Sequence, residues 1–441
     1  MREINCVVFL LLFTSINGEL SKVFDFQPQQ VHIAFGENVR EIVVIWSTMD
    51  DIDESIVKYS LNGEQFKAMG DSHLFVDGGE KKHRQYIHKV KLTNLKSNSH
   101  YVYHCGSELG WSDEFWFETS PADENNWAPQ LAIFGDMGNE NAQSLARLQE
   151  ESQQHLYDAI FHVGDFAYDM DSENAKVGDQ YMRQIESIAA YVPYMVCAGN
   201  HEEKYNFSNY RNRFQMPGNS ESLYYSFNMG PVHFIAISTE SYYFLNYGIK
   251  QLSNQYQWLV DDLREANKPE NRKLRPWIVT FGHRPMYCSN DDVKACKEMT
   301  TFVRNGLPLT HLYGLEDLFK DQGVDVTFWA HQHSYERLWP IYNFEVKNGS
   351  IEEPYRNAKA PIHIITGSAG CKEEHAKFKK DKPEWSAFRT EDYGYTRMKA
   401  FNKTHLYFEQ VSDEQNGQVI DSFWVVKDQT VPSYANLNEI Y

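Results

Sequence analysis

The chain has 441 residues, more than one ordinary hydrophobic core accommodates, so two domains are expected. Apolar residues make up 42% and aromatics 15%, enough to build packed cores, which excludes a disordered chain. The formal net charge of −19 argues against nucleic-acid or anionic-membrane partners, which need basic faces. Small phosphates are repelled less, because salt screens charges beyond about 8–10 Å.

Residues 1–18 read as a secretory signal. Arg2 gives a positive start, and Cys6-Val7-Val8-Phe9-Leu10-Leu11-Leu12-Phe13 is apolar but too short to span a membrane. Ser15 and Gly18 are small residues near a cut after Gly18. A membrane anchor fits less well, because a polar run over 17–22 follows at once. No later segment is apolar enough to cross a bilayer, and the C-terminus lacks the apolar tail of a lipid-anchor signal. A secreted or lysosomal protein with no membrane partner is expected. Beyond the leader stand Cys105, Cys197, Cys288, Cys296 and Cys371, an odd number, so at least one stays free or pairs between chains. Cys288 and Cys296, close together in a turn-rich stretch, make the best disulfide pair; the other three fit buried apolar positions equally well. Sequons at Asn206, Asn348 and Asn402 fit an exported glycoprotein.

Residues 19–120 are expected to be an all-β domain. Runs such as Ile42-Val43-Val44-Ile45-Trp46 and Tyr101-Val102-Tyr103 are β-branched or aromatic, with Asn62-Gly63 and Gly78-Gly79 as the clearest turns. Short strands at that spacing suggest a sandwich resembling a fibronectin-type domain. The polar stretch 121–127 reads as a linker. From residue 128 the pattern alternates: strand 130–135, helix 142–155, strand 159–164, helix 177–190, strand 192–197. Strands 224–227 and 232–237, helix 256–265, strand 277–281, helix 314–320 and strand 324–329 follow. This predicts βαβ units, an α/β domain and a largely parallel sheet over 128–345. Residues 346–441 form a C-terminal section of the same domain, with strands near Ile362, Tyr407 and Phe423.

The chemistry sits just after the strands of that region. Gly135-Asp136, Gly164-Asp165 with Tyr168, Gly199-Asn200-His201, Gly282-His283 and Ala330-His331-Gln332-His333 each follow a short apolar run. Strand ends gather at one rim of an α/β sheet, where such folds bind ligands. Oxygen and imidazole donors converging there describe a site for two metal ions. Asp165, in the middle of the set, is the choice for a bridging carboxylate. A phenol titrates near 10, so Tyr168 would bind deprotonated at low pH only to a strongly acidic, trivalent ion, in practice Fe³⁺. His331 and His333 alternate, so in extended backbone both would face the same side. His283 and Asn200 offer a softer sphere suited to Zn²⁺, Fe²⁺ or Mn²⁺. Ions of charges +3 and +2, less Asp136, Asp165 and Tyr168, leave about +2, which matches hydroxide and a phosphate ester. That implies in-line attack on phosphorus by a metal-bound hydroxide, with His201 free to donate a proton to the leaving oxygen at low pH.

Each piece alone has a plainer reading. Gly-Asp is usually a turn, Asn-His after Gly a cap or loop, and a single Tyr or His ordinary packing. It is their order behind successive strands that carries the weight. His162 reads as a core or ligand-supporting residue, Asp50-Asp51 and Lys379-Lys380 as solvated faces, and His311 as unplaced. Glu202 and the run Ser334-Tyr335-Glu336-Arg337 read as local packing, with support of the ligands as the alternative.

The blocks Gly-Asp-x-Gly, Gly-Asp-x-x-Tyr, Gly-Asn-His-Glu, a lone His and His-x-His, behind an N-terminal β domain, resemble the calcineurin-like metallophosphoesterases. With Tyr168 present they resemble the purple acid phosphatases in particular. The resemblance implies a four-layer α/β/β/α sandwich domain of the metallophosphoesterase type. It assigns Asp136, Asp165, Tyr168 and His333 to Fe³⁺, and Asp165, Asn200, His283 and His331 to the divalent ion. His201 would contact substrate. The chain departs from the pattern in Ala330, where Gly is usual before His-x-His, and in Thr280, where Val is usual. It also lacks a further His that plant relatives carry about ten residues past the lone His; Asp291-Asp292-Val293-Lys294 stands there. The expected activity is acid hydrolysis of phosphate monoesters. The alternatives are a phosphodiesterase or pyrophosphatase on the same metals, or a non-catalytic secreted binding protein.

Overall fold

The computed structural model describes residues 24–292 and 294–438. The expected leader 1–18 lies outside the described residues. The first strands form an antiparallel β structure in which the 13-residue strand Glu64–Val76 serves two partners. Its first half pairs with Ser55–Leu61 and its second half with Arg84–Leu92, so this strand passes from one sheet to the other. The Asn62-Gly63 turn before it has φ of 51° and 86°, the left-handed pair that a two-residue hairpin of this hand requires.

Among the described residues two large sheets, with a small two-stranded one at 341–346, form the rest, where the sequence suggested one largely parallel sheet. The first runs in the order Tyr194–Cys197, Ala159–Val163, Gln130–Phe134, Gly394–Asn402, His405–Ser412 and Gln418–Val426; its first three strands are parallel and its last three antiparallel. The second has Val232–Ala236, Trp277–Phe281, Val326–Trp329 and Ile362–Thr366 in parallel, flanked by antiparallel strands. The correction has a local cause. The links over 403–404 and 413–417 are too short for a crossover and enforce hairpins.

The sheets pack face to face through aromatic rings. Phe161 meets Phe281 at 4.9 Å and Phe234 at 5.0 Å, and Phe328 meets Phe408 at 6.0 Å. Helices cover the outer faces. Ile249–Ala266 buries Leu252, Leu259, Val260 and Leu263, and Ser172–Ala189 buries Tyr181, Met182, Ile185 and Ile188. The α/β/β/α layering is therefore the one expected, although Ile249–Ala266 starts well before the sequence-predicted 256–265. Its first two turns carry one buried apolar residue, Leu252, which is too weak a periodic signal.

The β structure is fastened to the α/β part through buried polar groups. Asp179 accepts from Arg213 at 2.8 Å and from Gln85 at 3.0 Å, and its other oxygen meets His83 at 2.8 Å. Arg213, fully buried, also donates to Gln30 Oε1 at 2.9 Å. Cys288 and Cys296 are joined in a disulfide, while Cys105, Cys197 and Cys371 are free and buried. Asn402 is exposed and its Oδ1 accepts from Thr404 N at 2.8 Å; Asn206 and Asn348 are half-buried. Among the described residues no helix is long and apolar enough to cross a membrane.

Candidate metal centre

All seven candidate ligands come together where strands of both sheets end. Asp136 and Asp165 follow Gln130–Phe134 and Ala159–Val163 of the first sheet, and Asn200 follows Tyr194–Cys197. His283 follows Trp277–Phe281 of the second sheet, and His331 and His333 follow Val326–Trp329. Four of them, Asp136, Asp165, Tyr168 and His331, hold left-handed backbone at φ of 57°, 53°, 55° and 68°. Such strain costs on the order of 1–3 kcal/mol per residue and persists where surrounding structure enforces it, typically at functional sites. Close approach of the loops depends on Gly199, where a Cβ would lie 2.2 Å from Asp165 Oδ1.

The ligands fall into two groups. In one, the Tyr168 hydroxyl lies 2.8 Å from His333 Nε2 and 3.2 Å from Asp136 Oδ1. In the other, His283 Nε2 is 3.0 Å from Asp165 Oδ2 and 3.3 Å from Asn200 Oδ1, with the His331 ring 5.1 Å from that of His283. Ligand atoms of Asp165, His283 and His331 all lie within 4.8 Å of one another. The extended alternation expected for His331 and His333 is not what brings them here. His331 is left-handed and the turn is tight, with Gln332 N donating to Ala330 O at 2.8 Å. The two imidazoles consequently serve different groups.

The electrostatics fit cations. Burial works against charge on His283, yet the Asp165 carboxylate beside it holds the imidazole protonated up to about 10. His333 is likewise pushed up to about 12 by Asp136 and Cys371, against the cost of burial. Protons thus stand where positive charge is called for, and metal ions would displace them. Burial and Arg284 keep His331 well below its ordinary range, hence neutral, and its Nε2 lone pair accepts from Arg284 Nη1 at 2.8 Å, a bond that a metal ion would have to replace. Burial, Asp136 and Asp165 raise the Tyr168 phenol well above its usual value, so only a strongly acidic ion would take it as phenolate. The donor set therefore fits two ions.

Supporting groups orient the donors. Glu202, buried, accepts from the backbone N–H of Asp165 and Gly199 at 2.8 Å each on one oxygen and of Phe166 at 2.9 Å on the other. It ties two ligand loops together, a positioning role that outweighs the local packing expected for it. His333 Nδ1 donates to Glu374 O at 3.0 Å, which leaves Nε2 for a metal. His201 Nδ1 lies 2.9 Å from Asp169 Oδ1, and its ring is 4.4 Å from that of Tyr168. Burial lowers its pKa, but Asp169 and Asp165 prevail and raise it to about 9, so His201 does not need low pH to carry a proton. Cations bound beside it would pull that value back down.

His162 sits in the core, bonded to the Tyr194 and Tyr181 hydroxyls at 2.7 and 2.9 Å. Glu336 accepts from Ser289, Arg337 pairs with Asp421, and His311 is exposed on a separate depression. Ala330 has no left-handed strain, and its methyl abuts Gly135.

A cleft of about 360 Å³ opens over the ligands, lined further by Asp291, Asp292, Glu373, His375 and Lys377. The segment 371–377 went unnoticed in the sequence. Its signal was available: a buried strand, Ile362–Thr366, runs into Gly367-Ser368-Ala369-Gly370-Cys371, the same strand-then-glycine pattern as the other ligand loops.

Paired carboxylates, three imidazoles, a phenol and an amide at facing strand ends under an open cleft define a metal-dependent phosphoesterase. Comparison with known proteins agrees. Residues 28–119 match the purple acid phosphatase N-terminal domain, 129–335 the calcineurin-like phosphoesterases, and 360–422 the iron/zinc purple acid phosphatase-like protein C. The chain is 54% identical over 412 residues to acid phosphatase type 7 of Danio rerio, covering 92% of this chain and 93% of that protein. It is 49% identical over 427 residues to acid phosphatase type 7 of Homo sapiens, covering 96% of each. The purple acid phosphatase PPD1 from yellow lupin seeds superposes with a TM-score of 0.76 at 26% identity, over 91% of this chain and 75% of that one. The chain belongs to the purple acid phosphatase family.

Proposed function

We propose that this protein is a secreted, glycosylated acid phosphatase that hydrolyses phosphate monoesters at a binuclear centre of Fe³⁺ and a divalent ion, Zn²⁺, Fe²⁺ or Mn²⁺. The observation that carries the reading is the division of the donors. Tyr168, Asp136 and His333 form a hard group around a phenol, and Asn200, His283 and His331 form a softer one. Asp165 joins them. When bound, the ions would supply Lewis acidity and an activated water.

The chain's own residues do the rest. Glu202 and the left-handed turns hold the donors at close range, and Asp169 orients His201 at the cleft wall, where it can give a proton to a leaving oxygen. The name acid phosphatase type 7 carried by the vertebrate relatives supports an acid working range and monoester substrates. The cleft, 360 Å³ and open, suits small phosphorylated molecules.

The test is hydrolysis of p-nitrophenyl phosphate from acid to neutral pH, with Asp165→Asn and Tyr168→Phe alongside. Asp165→Asn should abolish turnover and release metal; wild-type turnover in it would sink the bridging role. Tyr168→Phe should remove a visible phenolate-to-iron absorption band, and an unchanged band would exclude Tyr168 as a ligand. Faster hydrolysis of a diester than of the monoester by the wild type would replace the monoesterase reading.

A further inference from the structure

A second group of ligand-type side chains shares no residue with the centre above. His100, Glu118 and His155 place their ligand atoms within 4.8 Å of one another. Glu118 Oε1 is 3.1 Å from His155 Nδ1 and 3.7 Å from His100 Nδ1. Tetrahedral zinc with bonds of about 2.0–2.1 Å sets neighbouring ligand atoms about 3.4 Å apart, so the observed separations bracket the required one.

The arrangement is built by the backbone rather than by chance rotamers. His100 and Glu118 face each other directly across the antiparallel strands His100–Ser107 and Phe115–Glu118. Opposed residues in such a ladder hold their Cβ atoms about 5 Å apart. His155 arrives from the other part of the molecule, on the turn that ends the helix Leu145–Gln153. It is held there at φ 59° by its N–H donating to Ser152 O at 3.0 Å. The Trp116 ring stacks on both imidazoles, 4.2 Å from that of His155 and 5.3 Å from that of His100, and limits their rotation. The three side chains are about half exposed, which leaves room for water to complete a coordination sphere.

Two imidazoles with one carboxylate suit a borderline ion such as Zn²⁺, not Ca²⁺ or Mg²⁺, which take mostly oxygen. We propose that His100, Glu118 and His155 bind one zinc ion that ties the N-terminal β structure to the phosphoesterase part. Without an ion, the same groups could form only a solvent-exposed ion pair, worth little.

The test uses the holoenzyme, with its catalytic metals already loaded, titrated with Zn²⁺ at neutral pH by calorimetry and by metal analysis after dialysis. One zinc beyond the centre's content is expected per chain, with partial quenching or shift of Trp116 fluorescence and a rise in melting temperature. His155→Ala and His100→Gln should each weaken that binding at least about tenfold and abolish the temperature rise, while catalytic metal content and monoester turnover stay at wild type. Both are surface changes, so loss of folding is not expected, and two positions guard against it. Absence of an extra zinc in the wild type, or its retention at full affinity in both variants, overturns the proposal.

Discussion

Gly135 and Ala330 stand against each other where the two sheets end, and moving one methyl group between them tests how the centre is held. A Cβ built on Gly135 would lie 2.4 Å from Ala330 Cβ and 3.0 Å from Val163 O. Carbon atoms in contact sit about 3.5–4.0 Å apart, so Gly135→Ala must displace one strand end by more than about 1 Å. Neither end is free: Gly135 N donates to Thr366 O at 2.9 Å, and Ala330 N donates to His283 O at 2.8 Å. Overpacking of this kind costs about 2–3 kcal/mol. Asp136 is the next residue, so the metal-loaded protein should also lose metal. Ala330→Gly alone removes a buried methyl and stiffness, about 1 kcal/mol. Together the two changes relieve the methyl clash and leave only the Val163 carbonyl to accommodate. The double variant should therefore be more stable than the sum of the singles by at least about 1.5 kcal/mol. The assay is urea denaturation of the holoprotein with metal content measured in parallel. Additive losses, or a double variant worse than additive, would refute the claim that these two positions compete for one space.

Two further outcomes follow from buried carboxylates. Glu202→Gln puts an amide N–H against the Phe166 N–H and leaves that buried donor unpaired, about 1–3 kcal/mol, so metal affinity should fall about 10–100-fold; unchanged metal retention would return Glu202 to simple packing. Asp179 is a pH test at the junction of the two parts. Burial raises its pKa, but His83 and Arg213 prevail and hold it at about 2, below its unfolded value of 3.8. A depressed carboxylate stabilises above the unfolded value and loses that contribution as pH falls, so about 2 kcal/mol should disappear between about pH 4 and pH 2. Asp179→Asn should flatten that part of the stability profile and, by leaving Arg213 buried without its counter-ion, destabilise at neutral pH; a profile as steep as wild type would contradict this.

Much of the centre was legible because strand and ligand signals coincide. Short β-branched and aromatic runs ending in Gly-Asp, Gly-Asn-His or Gly-His mark both an element and the place where it stops, and each of those stops lies at the site. The His-x-His reading picked two residues that do lie at the cluster of strand ends, but through a geometry the backbone does not adopt. Alternation assumes extended backbone, and the left-handed His331 departs from it. Glu202 was visible as a residue but not as a clamp, because its partners Asp165 and Phe166 lie 37 and 36 positions away. The cleft residues on 371–377 and the pairing of Arg284 with Glu240 depend on which loops meet, and local pattern carries no information on that.

The amino-acid sequence by itself determined the chemistry available: two carboxylates, a phenol, an amide and three imidazoles, each tied to a strand end by local periodicity and glycine turns. Only the tertiary structure decided how those donors divide, because the division arises from two sheets packed face to face through rings such as Phe161 and Phe281. Backbone propensity acts over a few residues, whereas the packing that sets one strand end against another acts across more than a hundred.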